Sequence, residues 1–249
     1  MKYLFATERQ NYSDYASGKV FYGMPEHPAF PIRLASEILQ RCFAKRETKD
    51  RCVLYDPCCG GAYHLATLAY LHWDKIDTIV GSDVNADALA LAERNLALLT
   101  ASGLERRIEE IDEMRAAYNK ASHEEALRSA GRLQHCLQTA LTSHQIKTHL
   151  FCADAMDSDT MQNELAGMHI DIIFTDVPYG KRSTWQSDQT SQTPMDWLLE
   201  SLLPILSSDT VVAVACDKQQ KARHARYRQA ERLRSGKRQV FILQPQLSL

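Results

Sequence analysis

At 249 residues with 45% hydrophobic side chains, the chain can bury one sizeable core and needs no second domain, so a single domain spanning 1–249 is expected. Seven cysteines, an odd number with no C-x-x-C pair, argue against a disulfide framework or zinc site and for reduced thiols. No apolar run approaches the ~20 residues of a bilayer span, and Glu8 and Arg9 directly follow Leu4-Phe5-Ala6, so a soluble, unexported cytoplasmic protein without a membrane partner is expected.

In chain order, residues 1–30 show no clear period and are rich in Tyr, Gly and Pro, the composition of a lid or surface wrap. From there, short β-rich runs alternate with amphipathic stretches, as in βαβ units feeding a mostly parallel sheet. The runs are 52–55, 78–82, 149–153, 170–175, 211–215 and 240–243. An apolar helix is expected near Tyr63 to Trp73, and a second over Ala86 to Leu99. The stretch 103–143 is too long for an ordinary crossover and helical twice over. Leu104, Ile108, Ile111, Met114 and Tyr118 form one stripe, and Leu127, Ala130, Leu133, Leu137 and Leu141 another. A capping box at Ser122-His123-Glu124-Glu125 separates them, giving a helical-hairpin insertion between strands 2 and 3. Thr193-Pro194 reads as an N-cap and first helical residue. The fold class is α/β, doubly wound and Rossmann-like. Ser235-Gly236 suits a hairpin turn before the last strand; whether 219–234 is helix or strand stays open.

Net charge is −2, but it is unevenly spread: residues 218–238 hold nine Lys or Arg against Glu231 alone. A concentrated positive surface on an acidic body is a phosphate-binding footprint, with Arg226, Arg228 and Arg232 as representative contacts. The bland alternative is a solvated face.

The carboxylates are the informative feature. Asp56, Asp83, Asp154, Asp176 and Asp217 each follow one of five successive strands, positions that share the ligand edge of an open parallel sheet. A lone strand-end Asp is usually a turn or cap residue; several converging on one crevice suit a ligand with an ammonium, a sulfonium, ribose hydroxyls and an adenine amine. S-adenosylmethionine presents all four. The first loop, Asp56-Pro57-Cys58-Cys59-Gly60-Gly61-Ala62, breaks the G-x-G-x-x-G dinucleotide pattern. In this reading Gly60 and Gly61 admit the methionine part, Asp83 accepts from the ribose and Asp154 reaches the adenine. Cys58, Val84, Ala155 and Asp176 complete the cofactor set.

The loop Thr175-Asp176-Val177-Pro178-Tyr179-Gly180 is the sharpest motif. Pro178 restrains a backbone whose carbonyls can face an amine, Tyr179 offers a stacking face to an extruded base, and Asp176 can accept the departing proton. Lys181, Arg182 and Trp185 begin a polar loop suited to RNA. Pro57-Cys58 resembles a nucleophilic Pro-Cys pair but lies in the cofactor loop, and the histidines lack metal-ligand spacing, so no metal is expected.

Together, Tyr55-Asp56-Pro57-Cys58-Cys59-Gly60, Ser82-Asp83-Val84 with Asn95-Leu96-Ala97-Leu98-Leu99, and Thr175 to Gly180 resemble the AviRa family of avilamycin-resistance rRNA methyltransferases. Tyr12-x-x-Tyr15-Ala16-Ser17-Gly18-Lys19-Val20 and Ala29 to Ala35 extend the similarity over nearly the whole chain. The resemblance implies a class I methyltransferase fold and methylation of a guanine in large-subunit (23S) rRNA, in rRNA processing or antibiotic resistance. The family loop continues Gly-Ser-Gly, where this chain has Gly60-Gly61-Ala62. A monomer is expected; competing readings are a DNA or other amino-group methyltransferase and a catalytically idle RNA-binding protein.

Overall fold

A computed structural model of the chain describes residues 1–24, 29–177 and 193–247. Its strands are β1 (Cys52–Asp56), β2 (Ile76–Asp83), β3 (Lys147–Cys152), β4 (Ile172–Asp176), β5 (Val211–Asp217), β6 (Tyr227–Ser235) and β7 (Arg238–Pro245). They form one sheet in the order β3-β2-β1-β4-β5-β7-β6, with β1 to β5 parallel and β7 antiparallel to both neighbours. The strand order reverses between β1 and β4, which opens a crevice at their carboxyl ends.

Both faces of the sheet are covered, so the strands are buried on alternate sides by successive residues. Leu54, Ile79 and Ile172 point to one core, closed by helices α1 (Ile32–Phe43), α2 (Tyr63–Leu71), α3 (Ala86–Ala97), α4 (Ala101–Tyr118) and α5 (Ala121–Leu141). Tyr55, Val80 and Ile173 point to the other, under α6 (Ser158–Glu164) and α7 (Pro194–Leu202). No helix among the described residues is long and apolar enough to cross a membrane.

The strands lie where hydrophobic patterning puts them, one or two residues longer at most ends. Helices α4 and α5 fill 101–141 between β2 and β3 and pack together, but two details differ. Tyr118 is 67% exposed, so the first stripe ends at Met114. The restart is not a capping box: α5 begins after Lys120, which makes no side-chain cap, while Asn119 ends α4 in the left-handed region at φ 47°. Thr193 does cap α7, in a reciprocal box with Asp196. Helices α1 and α6 are absent from the sequence reading, although Leu34, Ala35, Ile38, Leu39 and Cys42 repeat along one face of α1. Residues 227–235 are strand, closing a β6–β7 hairpin through Gly236 (φ 60°) and Lys237.

The N-terminus is a wrap tied down by polar contacts. Glu37 on α1 accepts from the backbone N–H groups of Leu4, Phe5 and Ala6, and Arg33 donates to the carbonyls of Ala6 and Thr7. Farther on, Phe21 is buried in a cluster with Tyr15, Tyr63 and Tyr70. Arg107 of α4 holds the carbonyls of Lys19 and Val20, and Asn95 of α3 holds both backbone groups of Tyr22.

Candidate active site

The first loop is built by its own sequence. β1 ends on Asp56, which is fully buried and accepts from the Cys58 N–H at 2.9 Å. Gly60 sits at φ 51°, where a side chain would be strained, and donates its N–H to Asp83 Oδ2 at 2.8 Å. The carboxylate at the end of β2 thus fixes the loop leaving β1. Asp83 also accepts from Asn85 N–H, and burial, aided by Asp56, holds its pKa above the ordinary value despite those donors. At Gly61 a Cβ would fall 2.8 Å from Leu91 Cδ2, so its bareness also lets α3 pack. Ala62 enters α2 at φ 51°, ψ 23°, an uncommon conformation for alanine.

This loop, the N-terminal wrap and β4 enclose a cavity of 160 Å³, lined among others by Met24, Phe30, Gly60, Gly61, His64 and Asp176. Asp176 Oδ1 is buried with no hydrogen-bond partner among the described residues. Burial pushes its pKa up to about 6, against the pull of Arg238 and His64, while Asp56 adds to the rise. Arg238, the first residue of β7, places Nε 3.8 Å from Asp176 Oδ2 and its guanidinium over Phe30. His64 on α2 packs on Phe174 and places Nε2 3.1 Å from Asp56 Oδ2, a contact of charge rather than of aligned hydrogen bonding. Burial opposes the imidazolium, but the Asp56 carboxylate outweighs it and raises the His64 pKa.

The sequence-derived residues therefore separate. Asp56, Cys58, Gly60, Gly61 and Asp176 come together around the cavity, with Asp56 acting behind it on His64 and the loop. Burial, then Asp56 and Asp83, push the Cys58 thiol up, so no nucleophilic thiolate forms there. Asp83, Val84 (70% exposed) and Asp154 occupy the same sheet edge beside β2 and β3. Ala155 is buried and its carbonyl accepts from Ser201. Pro178, Tyr179, Lys181, Arg182 and Trp185 lie outside the described residues.

The basic segment does not form one surface. β6 runs parallel to β5, so Arg226 and Arg228 stand at the amino edge of the sheet, roughly 20 Å from the hairpin tip at ~3.3 Å per residue. A bulge at Gln229/Glu231 resets the alternation and leaves Arg228 and Arg232 on opposite faces. Uniform charge counting missed this, because sequence does not say which end of a hairpin faces the site. His64 and Arg238 were also missed: His64 meets Asp56 only once the first loop turns back into α2, and the Asp176 partner of Arg238 is distant in sequence.

Comparison with known proteins fits this geometry. The family model described as rRNA methyltransferase AviRa matches residues 1–238. The chain is 37% identical over 241 residues to a 23S rRNA (guanine(2535)-N(1))-methyltransferase of Streptomyces viridochromogenes, covering 97% of this chain and 95% of the relative. Two solved structures of the rRNA methyltransferase AviRa from the same organism superpose with TM-scores of 0.88 and 0.89 at 36% and 35% identity, each covering 99% of this chain and 97% of theirs. With the sheet order, the first loop and this match over nearly its full length in agreement, the chain belongs to the AviRa family of rRNA methyltransferases.

Proposed function

We propose that the protein methylates N1 of a guanine in 23S rRNA, with S-adenosylmethionine as donor, in the cytoplasm. The observation that carries this reading is Asp176: a buried carboxylate with an oxygen unpartnered among the described residues, lining a cavity against Gly60 and Gly61. The donor set fits the cofactor, since Asp83 and Asp154 supply acceptors along the same edge and Gly60 leaves the loop open, with Met24 Sδ, 3.8 Å from where a Cβ would stand, the nearest atom among the described residues. Gly60, Gly61, Asp83, Val84 and Asp154 would hold it, and when bound it supplies an electrophilic methyl group. Neutral guanine carries hydrogen on N1, so methylation there releases a proton. Asp176 accepts it, and a pKa near 6 lets it do so while ionised at neutral pH. Arg238, 3.8 Å away, and His64 favour the ionised form of that carboxylate against the effect of burial. By sequence, Tyr179 follows Asp176 closely enough to stack the extruded base.

Transfer of tritium from labelled cofactor to 23S rRNA, 16S rRNA and DNA tests the reading. Label in 23S rRNA is expected, with reverse transcription stopping at the modified guanine. Asp176→Asn should slow transfer by about 10² or more while cofactor binding changes little. Label confined to DNA, or none, would overturn it.

A further inference from the structure

The β6–β7 hairpin brings its charge to the site at one end only. Asp217, the last residue of β5, pairs with Arg238, which pairs with Ser235, and Asp176 pairs with Ala215. The tip, Arg234 to Lys237, therefore stands at the carboxyl edge that also carries Asp176, with β5 and β7 between β6 and β4. Lys218 joins it there, its N–H donating to the Lys237 carbonyl.

Next to this tip, the free edge of β6 and the pinned N-terminus line an open groove of 460 Å³ that includes Lys2, Arg41, Arg232 and Arg234. β6 is the last strand of the sheet, so its outer N–H groups face this groove unpaired by a strand. Arg41 is neutralised by Glu37 and Glu231. The others are not: Arg232 binds the neutral amide of Gln239 and lies over Phe241, and Lys2, Arg234 and Lys237 are exposed with no carboxylate partner among the described residues.

We infer that the hairpin tip and this groove form the track for the RNA phosphodiester backbone flanking the target base, whereas Arg226 and Arg228 at the far end take no part. The inference rests on the proposed RNA substrate. Unpaired cations and edge N–H groups in a groove at the outer edge of the sheet, three strands along from Asp176, suit a chain of phosphates that leads toward the acidic cavity. Without them, the carboxylates at this edge would repel the substrate.

The test compares a 23S rRNA fragment binding to the parent, to a Lys2→Gln/Arg234→Gln/Lys237→Gln variant and to an Arg226→Gln/Arg228→Gln variant across a salt series. At moderate salt the first variant should bind about tenfold or more weakly, with a log–log salt slope shallower by about two. Its KM for RNA should rise while its rate at saturating RNA stays near parental. The second variant should match the parent in slope and affinity. Equal losses in both variants, or none in the first, would overturn the track. Failure of the parent to methylate 23S rRNA would instead count against the substrate reading, so the two failures are separable.

Discussion

Asp83 commits both carboxylate oxygens to backbone N–H groups, one on the loop after β1 and one at the start of α3. That makes it a brace as well as the proposed ligand group, since each oxygen keeps a second lone pair for a hydroxyl. Asp83→Ala should therefore weaken cofactor binding by about tenfold or more, from lost hydrogen bonds and a loosened Gly60. Calorimetry on the folded variant measures this, and unchanged affinity would remove Asp83 from the site. Ala62 illustrates the opposite case: its left-handed backbone costs ~1 kcal/mol, which glycine, as in the family loop it resembles, would not incur.

At the scale of elements, α1 organises the N-terminus through one buried carboxylate. Burial disfavours ionised Glu37, but Leu4, Ala6 and Phe5 N–H groups, with Arg41, outweigh it and hold its pKa below the usual value. Its stabilising contribution is thus present above the unfolded carboxylate value and lost as pH falls through the lower folded one. Glu37→Gln leaves Arg41 with Glu231 as its carboxylate partner and weakens the acceptor for three backbone N–H groups, so it should cost about 1–3 kcal/mol in urea unfolding at neutral pH, with faster amide exchange at Leu4 to Ala6. Slow exchange in the variant would mean the wrap is held elsewhere.

Across the whole molecule, the parallel sheet gathers Asp56, Asp83 and Asp176 at one edge, where, among the described residues, the His64 imidazole lies against Asp56 and the Arg238 guanidinium near Asp176. Such crowding sacrifices stability for chemistry. Because the folded pKa of Asp176 is raised to about 6, its contribution is most favourable below the unfolded value and is lost as pH rises through 6. Asp176→Asn should then be more stable than the parent at pH 7 by on the order of 1–3 kcal/mol, with the difference vanishing near pH 4. Parental single-turnover rates should fall as pH drops below about 6. Melting curves that run parallel from pH 4 to 8 would show that Asp176 ionises without strain.

Much of this was legible in the sequence because it is local. Strand runs such as 211–215, the Thr193 cap and the strand-end aspartates depend on patterning and side-chain type within a few residues. The α/β class and ligand edge follow from them, and the family from motifs spread along the chain. What those groups do was decided by tertiary contact. Asp56 faces His64, Asp83 braces Gly60, and the bareness of Gly61 also makes room for Leu91. The basic segment is the clearest division: its charge is a property of composition, but only the antiparallel return of β7 beside β5 sets Arg234 and Lys237 at the carboxyl edge of the sheet and Arg226 and Arg228 at the amino edge. Strand direction and register are fixed by burying Leu233, Val240 and Ile242 in the common core, a long-range packing requirement that a local reading of charge does not contain.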